Sequence, residues 1–248
     1  MLRKIIVIAL LLLSSYQNIF AEKIGLLVVA TGRYISFVGP LIESAEKHFC
    51  KGHEVTYFIF TDGPLEEAPN IVRIYQPRLG WPFDTMMRFK MYAQNQDLLQ
   101  TQDYLFACDA DMLFVDSVGD EILGERVATL HPGFTHQRGS YEASPLSLAC
   151  VSEQEGTAYY AGGFWGGSSQ EALNIAKINA AHIDEDLSNG IIAVWHDESH
   201  WNRYCIDHEP TVILSPSYCY PERWELPYPK KLLALDKNHD EMRKDEND

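Results

Sequence analysis

Cations are scarce in this chain: 20 Lys and Arg stand against 35 Asp and Glu over 248 residues, a formal charge of −15. Such a surface repels phosphate backbones and argues against nucleic acid as a partner. Internal repeats and low-complexity segments are absent too, which leaves an ordinary globular chain. Cys50, Cys108, Cys150, Cys205 and Cys219 contain no Cys-x-x-Cys pair, and an odd number cannot all pair within one chain. Cys108 lies in an apolar run and reads as a small core residue; bridges and free thiols both stay open for the others. No apolar run reaches the roughly 20 residues needed to cross a bilayer. The nearest is Ile5 to Leu13, with Arg3 and Lys4 before it and Ser14, Ser15, Gln17, Asn18 and Phe20-Ala21 after it. Residues 1–21 therefore read as a signal peptide cut near Ala21 or a short signal anchor. Membrane contact is expected only through that segment if it is uncleaved. A secretory route follows, to the periplasm or envelope in a bacterium, or the Golgi lumen or membrane in a eukaryote.

What is present is apolar mass, with 46% hydrophobic and 12% aromatic residues, enough for one sizeable core over residues 22–248. Ile24 to Thr31, Glu54 to Phe60, Val72 to Tyr75 and Tyr104 to Phe106 read as strands. Phe37 to Phe49, Pro82 to Leu99 and Ser169 to His182 read as helices, Pro82 standing in a first turn where proline is tolerated. This alternation predicts an α/β fold with a mainly parallel sheet and helices on its faces. Ligands of such sheets sit at the carboxyl ends of the strands, where Tyr34 and Asp109 would lie.

Three stretches carry candidate chemistry. In Asp109-Ala110-Asp111, after the apolar Tyr104 to Cys108, carboxylates two residues apart share a face if the backbone is extended and can converge on one hard cation. The bland alternative is a solvated strand end. Tyr159 to Gly167 holds four glycines among aromatic residues; it suits close approach of backbone to a ligand, and equally a pair of bulges at a sheet bend. Trp195-His196-Asp197-Glu198-Ser199-His200-Trp201-Asn202 packs two acids and two imidazoles between indoles, and its acids would also suit a helix start. His196 and His200 have the four-residue spacing of zinc ligands, but Asp197 stands where a zinc protease needs Glu, so that chemistry is not favoured.

These blocks in order, with Phe60-Thr61-Asp62, Met91, Leu130-His131-Pro132-Gly133-Phe134, Leu214-Ser215-Pro216 and Lys237-Asn238-His239, resemble glycosyltransferase family 6 from about Ile24 to Arg243. That family includes the vertebrate histo-blood-group A and B transferases, the α-1,3-galactosyltransferase and the Forssman synthase. The resemblance implies a Rossmann-like GT-A fold with helices on both faces of its sheet. It also implies a UDP-sugar donor and retaining α transfer to the 3-hydroxyl of a galactose-terminated, possibly fucosylated, acceptor.

Residue by residue, the resemblance implies that Asp109 and Asp111 hold Mn2+ against the diphosphate, Asp109 also meeting the donor. Val29, Ala30 and Tyr34 match the uridine pocket, and Arg88 contacts the donor sugar and neighbouring carboxylates. Glu198 is the implied catalytic carboxylate and also meets the acceptor; Asp197 binds donor hydroxyls. Trp195 and His131 belong to the acceptor side. Ala161, Gly162 and Gly163 lie beside the donor sugar, where small residues leave room for N-acetylgalactosamine over galactose. Lys237 and Arg243 match a mobile tail, here the acidic residues 236–248, that folds over the diphosphate.

Departures bear on the acceptor. Pro221 stands where the vertebrate enzymes carry an acceptor-contacting Asp, and Thr135 to Ser147 is shortened or altered. Bacterial relatives carry Asn-x-Asn where this chain keeps Asp109 and Asp111, which predicts metal dependence. The alternative from a different class is a nucleotide-sugar or glycan-binding protein on the same scaffold that has lost turnover.

Overall fold

Strand β1 (Lys23–Val29) is buried on both faces from Ile24 to Val28, as a central strand covered by helices must be. The computed structural model describes residues 21–66 and 68–244. The amino-terminal apolar run, at residues 1–20, and tail residues 245–248 lie outside them. Among the described residues no helix is long and apolar enough to cross a membrane.

The chain continues through α1 (Ile35–His48), β2 (Glu54–Thr61), β3 (Ile71–Tyr75), α2 (Phe83–Met86), α3 (Arg88–Gln94), α4 (Gln96–Leu99), β4 (Tyr104–Cys108), β5 (Met112–Phe114) and β6 (Arg126–Leu130). Then follow β7 (Tyr160–Ser168), α5 (Ser169–Ser188), α6 (Asp197–Asp207), β8 (Val212–Leu214), β9 (Tyr220–Pro221), β10 (Leu232–Ala234) and α7 (His239–Arg243). The main sheet has the order β3-β2-β1-β4-β7-β6-β8. β3, β2, β1 and β4 are mutually parallel; β7 runs antiparallel to both β4 and β6. A smaller sheet, β5-β10-β9, stands beside it. This is the α/β arrangement the sequence predicts, mainly parallel with helices on both faces.

Alternation along the strands feeds two cores. Ile24, Leu26 and Val28 pack with Val38, Leu41 and Ala45 of α1, together with Phe106 and Cys108. Leu27, Leu105 and Ala107 face the opposite way, into a cluster with Phe89, Trp165, Ile175 and Trp201 from α3, β7, α5 and α6. Cys108 is a core thiol, and all five cysteines are free.

Two elements differ from expectation. The predicted helix from Pro82 to Leu99 is three short helices, interrupted at Met87 and Asn95. Arg88 takes both the carbonyl and the hydroxyl of Thr85 across the first break, and Asn95 Nδ2 takes the Met91 carbonyl at the second. Helix α5 runs six residues past His182, to Ser188. Asp184, Glu185 and Asp186 disguise its last turns as polar, yet Ile183 and Asp186 are buried, and Asp186 accepts from Ser147 Oγ at 2.5 Å and from Leu148 N–H at 2.9 Å.

The glycine-rich stretch shows the sheet irregularity, one of the two readings left open for it. Gly166 and Gly167 belong to the sheet: a Cβ there would lie 2.2 Å from the Leu105 carbonyl and 2.0 Å from that of Glu125, so any side chain would part the strands. The β6–β7 register shifts between the Ala128–Trp165 and Leu130–Tyr160 pairs, an irregularity in the stretch from which Gly162 and Gly163 line the cleft.

Candidate active site

The carboxyl ends of β1 and β4 open into a cleft of about 290 Å³. Val29, Tyr34, Arg88, Asp109, Asp111, Gly162, Gly163, Trp195, Asp197, Glu198, Lys237 and Arg243 all line it. Ala30 sits beside Val29, fully buried, its N–H donating to the Phe60 carbonyl at 2.8 Å. Ala161 is buried next to Gly162, and neither alanine reaches the lining. His131 is also outside it, packed 5.7 Å from the Tyr159 ring and donated to by the Gly133 N–H at 3.0 Å.

Arg88 organises the cleft. It is buried, and its guanidinium meets Asp109 at 2.8 Å, Asp197 at 2.9 Å and the Gly162 carbonyl at 3.1 Å. Burial disfavours its charge, but Asp197 and Asp109 outweigh that and raise its pKa. A planar fork joining two carboxylates is a guanidinium's strength. Asp197 also accepts from Thr85 Oγ1 at 3.2 Å; burial lifts its pKa to about 6 against the opposing pull of Arg88.

Glu198 has both oxygens held. Oε2 accepts the Gly162 N–H at 2.7 Å and Oε1 accepts the Tyr159 hydroxyl at 2.9 Å. Burial pushes its pKa to about 7, although both hydrogen bonds pull it down. The placement comes from α6. His196, before its first turn, has φ +53°, a conformation non-glycine residues adopt at a cost, and the two acids that follow occupy the positive end of the helix. Asn202 then fastens α6 to β7, exchanging two 2.8 Å bonds with the backbone of Tyr160 and donating to the Glu198 carbonyl at 2.9 Å.

Asp109 and Asp111 bracket the turn from β4 to β5. Burial first, and Asp109 second, raise the pKa of Asp111, while the Lys237 ammonium bonded to its Oδ2 opposes them. Among the described residues no group of three or more His, Cys, Asp or Glu side chains forms a metal cage. Two carboxylates facing open cleft still fit a hard divalent cation whose other ligands come from phosphate oxygens and water. His196 and His200 do not share such a site: His196 packs edge-on to Trp81 at 4.9 Å, whereas His200 is buried 3.5 Å from Asp186, its pKa lowered by burial to about 4.

The described part of the tail, residues 236–244, borders the cleft through Lys237, His239, Met242 and Arg243. Arg243 stacks 3.6 Å above the Trp81 ring, and Arg78 donates to the carbonyls of Arg243 and Lys244 at 2.6 and 2.9 Å. Sequence reasoning assigned no role to Trp81, Thr85, Tyr159 or Arg78. Tyr159 stands in the glycine-rich stretch and Thr85 three residues before Arg88, but nothing in either spacing specifies a partner.

The sequence pattern of glycosyltransferase family 6 matches residues 8–244. Histo-blood group ABO system transferase 1 of Rattus norvegicus is 41% identical over 239 residues, covering 89% of this chain and 68% of that protein. Globoside alpha-1,3-N-acetylgalactosaminyltransferase 1 of Gallus gallus is 35% identical, covering 89% and 69%. Alpha-1,3-galactosyltransferase 2 of Homo sapiens is 31% identical, covering 85% and 67%.

Proposed function

The chain belongs to glycosyltransferase family 6, and from that premise we propose that it is a metal-dependent, retaining α-1,3-glycosyltransferase. It moves N-acetylgalactosamine, or galactose, from a UDP-sugar to the 3-hydroxyl of a β-galactoside, plain or fucosylated, on the secretory route. The observation that carries this reading is the Glu198 carboxylate, fixed by Tyr159 and Gly162 in the cleft that also holds Asp109, Asp111 and Arg88.

The division of labour follows from the chemistry. Transfer breaks the bond from the sugar's anomeric carbon to the diphosphate, whose oxygen keeps the electron pair, and positive charge grows on the sugar ring. Glu198, fixed before reaction, supplies negative charge to that ring without reorganising. Retention needs either a carboxylate nucleophile or same-face attack past a carboxylate, and Glu198 serves both. Arg88 holds Asp109 and Asp197 at their spacing, leaving Asp197 to orient donor hydroxyls. Lys237 and Arg243 line the same cleft and would offer positive charge to the departing diphosphate. Mn2+, held by Asp109 and Asp111, would neutralise charge on the leaving diphosphate.

The donor reading rests on the resemblance, in which small residues at Ala161 and Gly163 leave room for the bulkier N-acetylgalactosamine. Gly163 lines the cleft without a side chain, and a Cβ there would crowd Cys219 Sγ at 3.2 Å and Asp109 Oδ2 at 3.3 Å, so glycine here lets Asp109 keep its place. The test is proton NMR of the product formed from each donor and lactose. An α-configured sugar on the galactose 3-oxygen is the expected result; a β-linkage, or hydrolysis alone, would sink the assignment.

A further inference from the structure

Between β6 and β7 the chain runs through residues 131–159, the connection that contains Thr135 to Ser147. None of these residues lines the cleft. One of them nevertheless reaches the catalytic carboxylate: the Tyr159 hydroxyl, 2.9 Å from Glu198 Oε1.

The rest of the connection is built around that ring. Tyr159 is 1% exposed. Phe134 and Tyr141 stand edge-on to it, each at 5.0 Å, and His131 does so at 5.7 Å. The backbone is fixed as well: the His131 N–H donates to the Tyr159 carbonyl at 2.9 Å, and the Tyr141 hydroxyl donates to the Ala158 carbonyl at 2.6 Å. Arg138 lies 4.7 Å over the Tyr141 ring and donates to the Ser152 carbonyl at 2.9 Å.

Gly139, between Arg138 and Tyr141 in the chain, closes the last side. It is buried, and a Cβ there would lie 2.1 Å from Tyr159 Cγ and Cδ2 and 2.3 Å from its Cβ. Its φ is not left-handed, unlike that of Gly156 at +79°, so the backbone conformation does not call for glycine. The Tyr159 ring does. Carbon atoms rest about 3.5–4.0 Å apart, and with Arg138 and Tyr141 pinned on either side, a methyl group at 139 would push the ring back by about 1 Å or more.

We propose that Gly139 is a positioning residue for the transfer reaction, its missing side chain seating the Tyr159 ring so that the hydroxyl holds Glu198 in place. The inference rests on the transferase reading. Glu198 Oε2 keeps the Gly162 N–H at 2.7 Å whatever happens at Oε1, so a displaced ring leaves a carboxylate tethered at one oxygen and free to turn about it. Misplacement on the order of 1 Å is costly to a group that must face a reacting carbon. The 135–147 stretch thereby acts as a strut behind the site.

Proton NMR of the Tyr159 hydroxyl, a buried O–H on a carboxylate assigned by its loss in Tyr159→Phe, reads the seat without requiring turnover. Gly139→Ala should shift that resonance upfield or erase it. In kinetics Gly139→Ala should lower kcat about tenfold with the donor KM kept within about twofold, and combined with Tyr159→Phe it should lower kcat no further. Tyr141→Phe retains the edge-on ring and should keep most of kcat; Tyr141→Leu should behave as Gly139→Ala and serves if the alanine variant does not fold. A hydroxyl resonance unmoved in both Gly139→Ala and Tyr141→Leu, or a kcat loss that multiplies with that of Tyr159→Phe, overturns the positioning role while acceptor-stimulated UDP release leaves the transferase intact. A resonance that moves as expected in a wild-type chain that transfers to no galactoside would overturn the transferase reading, and the role in catalysis with it.

Discussion

The Tyr159 hydroxyl donates to Glu198 Oε1 at 2.9 Å from a fully buried ring. That bond favours the charged carboxylate and so works against the burial that pushes Glu198 up to about 7. The phenol in turn is held protonated by burial first and by Glu198 second, which makes it a dependable donor across the physiological range.

Tyr159→Phe should therefore raise the Glu198 pKa. If the carboxylate is the active form, kcat/KM of the free enzyme falls as pH drops through about 7, and the variant's acid limb should move to higher pH with a roughly tenfold lower rate at neutrality. A pH profile of UDP release checks this; an unmoved limb would mean that Glu198 does not set it.

Glu198→Gln should cut kcat by about 10² or more while UDP affinity is kept, since the glutamine amide can still accept from the Gly162 N–H. Stability should shift the other way. A carboxyl whose folded pKa lies above its unfolded one binds protons more tightly when folded, so stability is greatest below the unfolded value near 4.5 and is lost as pH rises through about 7. The glutamine variant should accordingly melt higher than wild type at pH 8, with the gap closing below pH 5. Parallel thermal melts at the two pH values decide it.

Arg88→Lys keeps a charge but cannot join Asp109, Asp197 and Gly162 at once. One carboxylate is left buried without a partner, at a cost of about 3–5 kcal/mol. Melting should fall by about 10 °C, with transfer nearly abolished. A melt unchanged from wild type would show that the network is not held by the fork.

Asp111→Asn should remove most Mn2+-stimulated turnover and weaken Mn2+ binding measured by calorimetry in the presence of UDP. Its carboxylate is shared with Lys237, so Lys237→Met should instead raise the donor KM. Full turnover of the wild-type chain in chelator would contradict the metal assignment outright.

Much of the fold was legible because periodicity and apolar runs report which faces are buried: β1, α1, β2, β3 and β4 fall within a few residues of their expected bounds. The failures have local causes. Pro82 to Leu99 has continuous helical spacing, but the Arg88 and Asn95 side chains compete for backbone carbonyls. The end of α5 hides behind three consecutive acids, one of them buried on Ser147. In the site, Arg88, Asp109, Asp197 and Glu198 could be named from motifs, whereas Tyr159, Trp81 and Thr85 could not. Tyr159 and Trp81 meet their partners from distant parts of the chain, and Thr85, though three residues from Arg88, also bonds the distant Asp197; contacts across the chain leave no spacing to read.

The most direct measurement is UDP release from UDP-N-acetylgalactosamine and UDP-galactose, each with Mn2+ or chelator, with and without plain or fucosylated β-galactosides. Release that needs both Mn2+ and a galactoside, is faster with UDP-N-acetylgalactosamine and is lost in Glu198→Gln is the predicted result. UDP bound but never released as product with any pairing would contradict the account and leave a nucleotide-sugar-binding protein on a transferase scaffold.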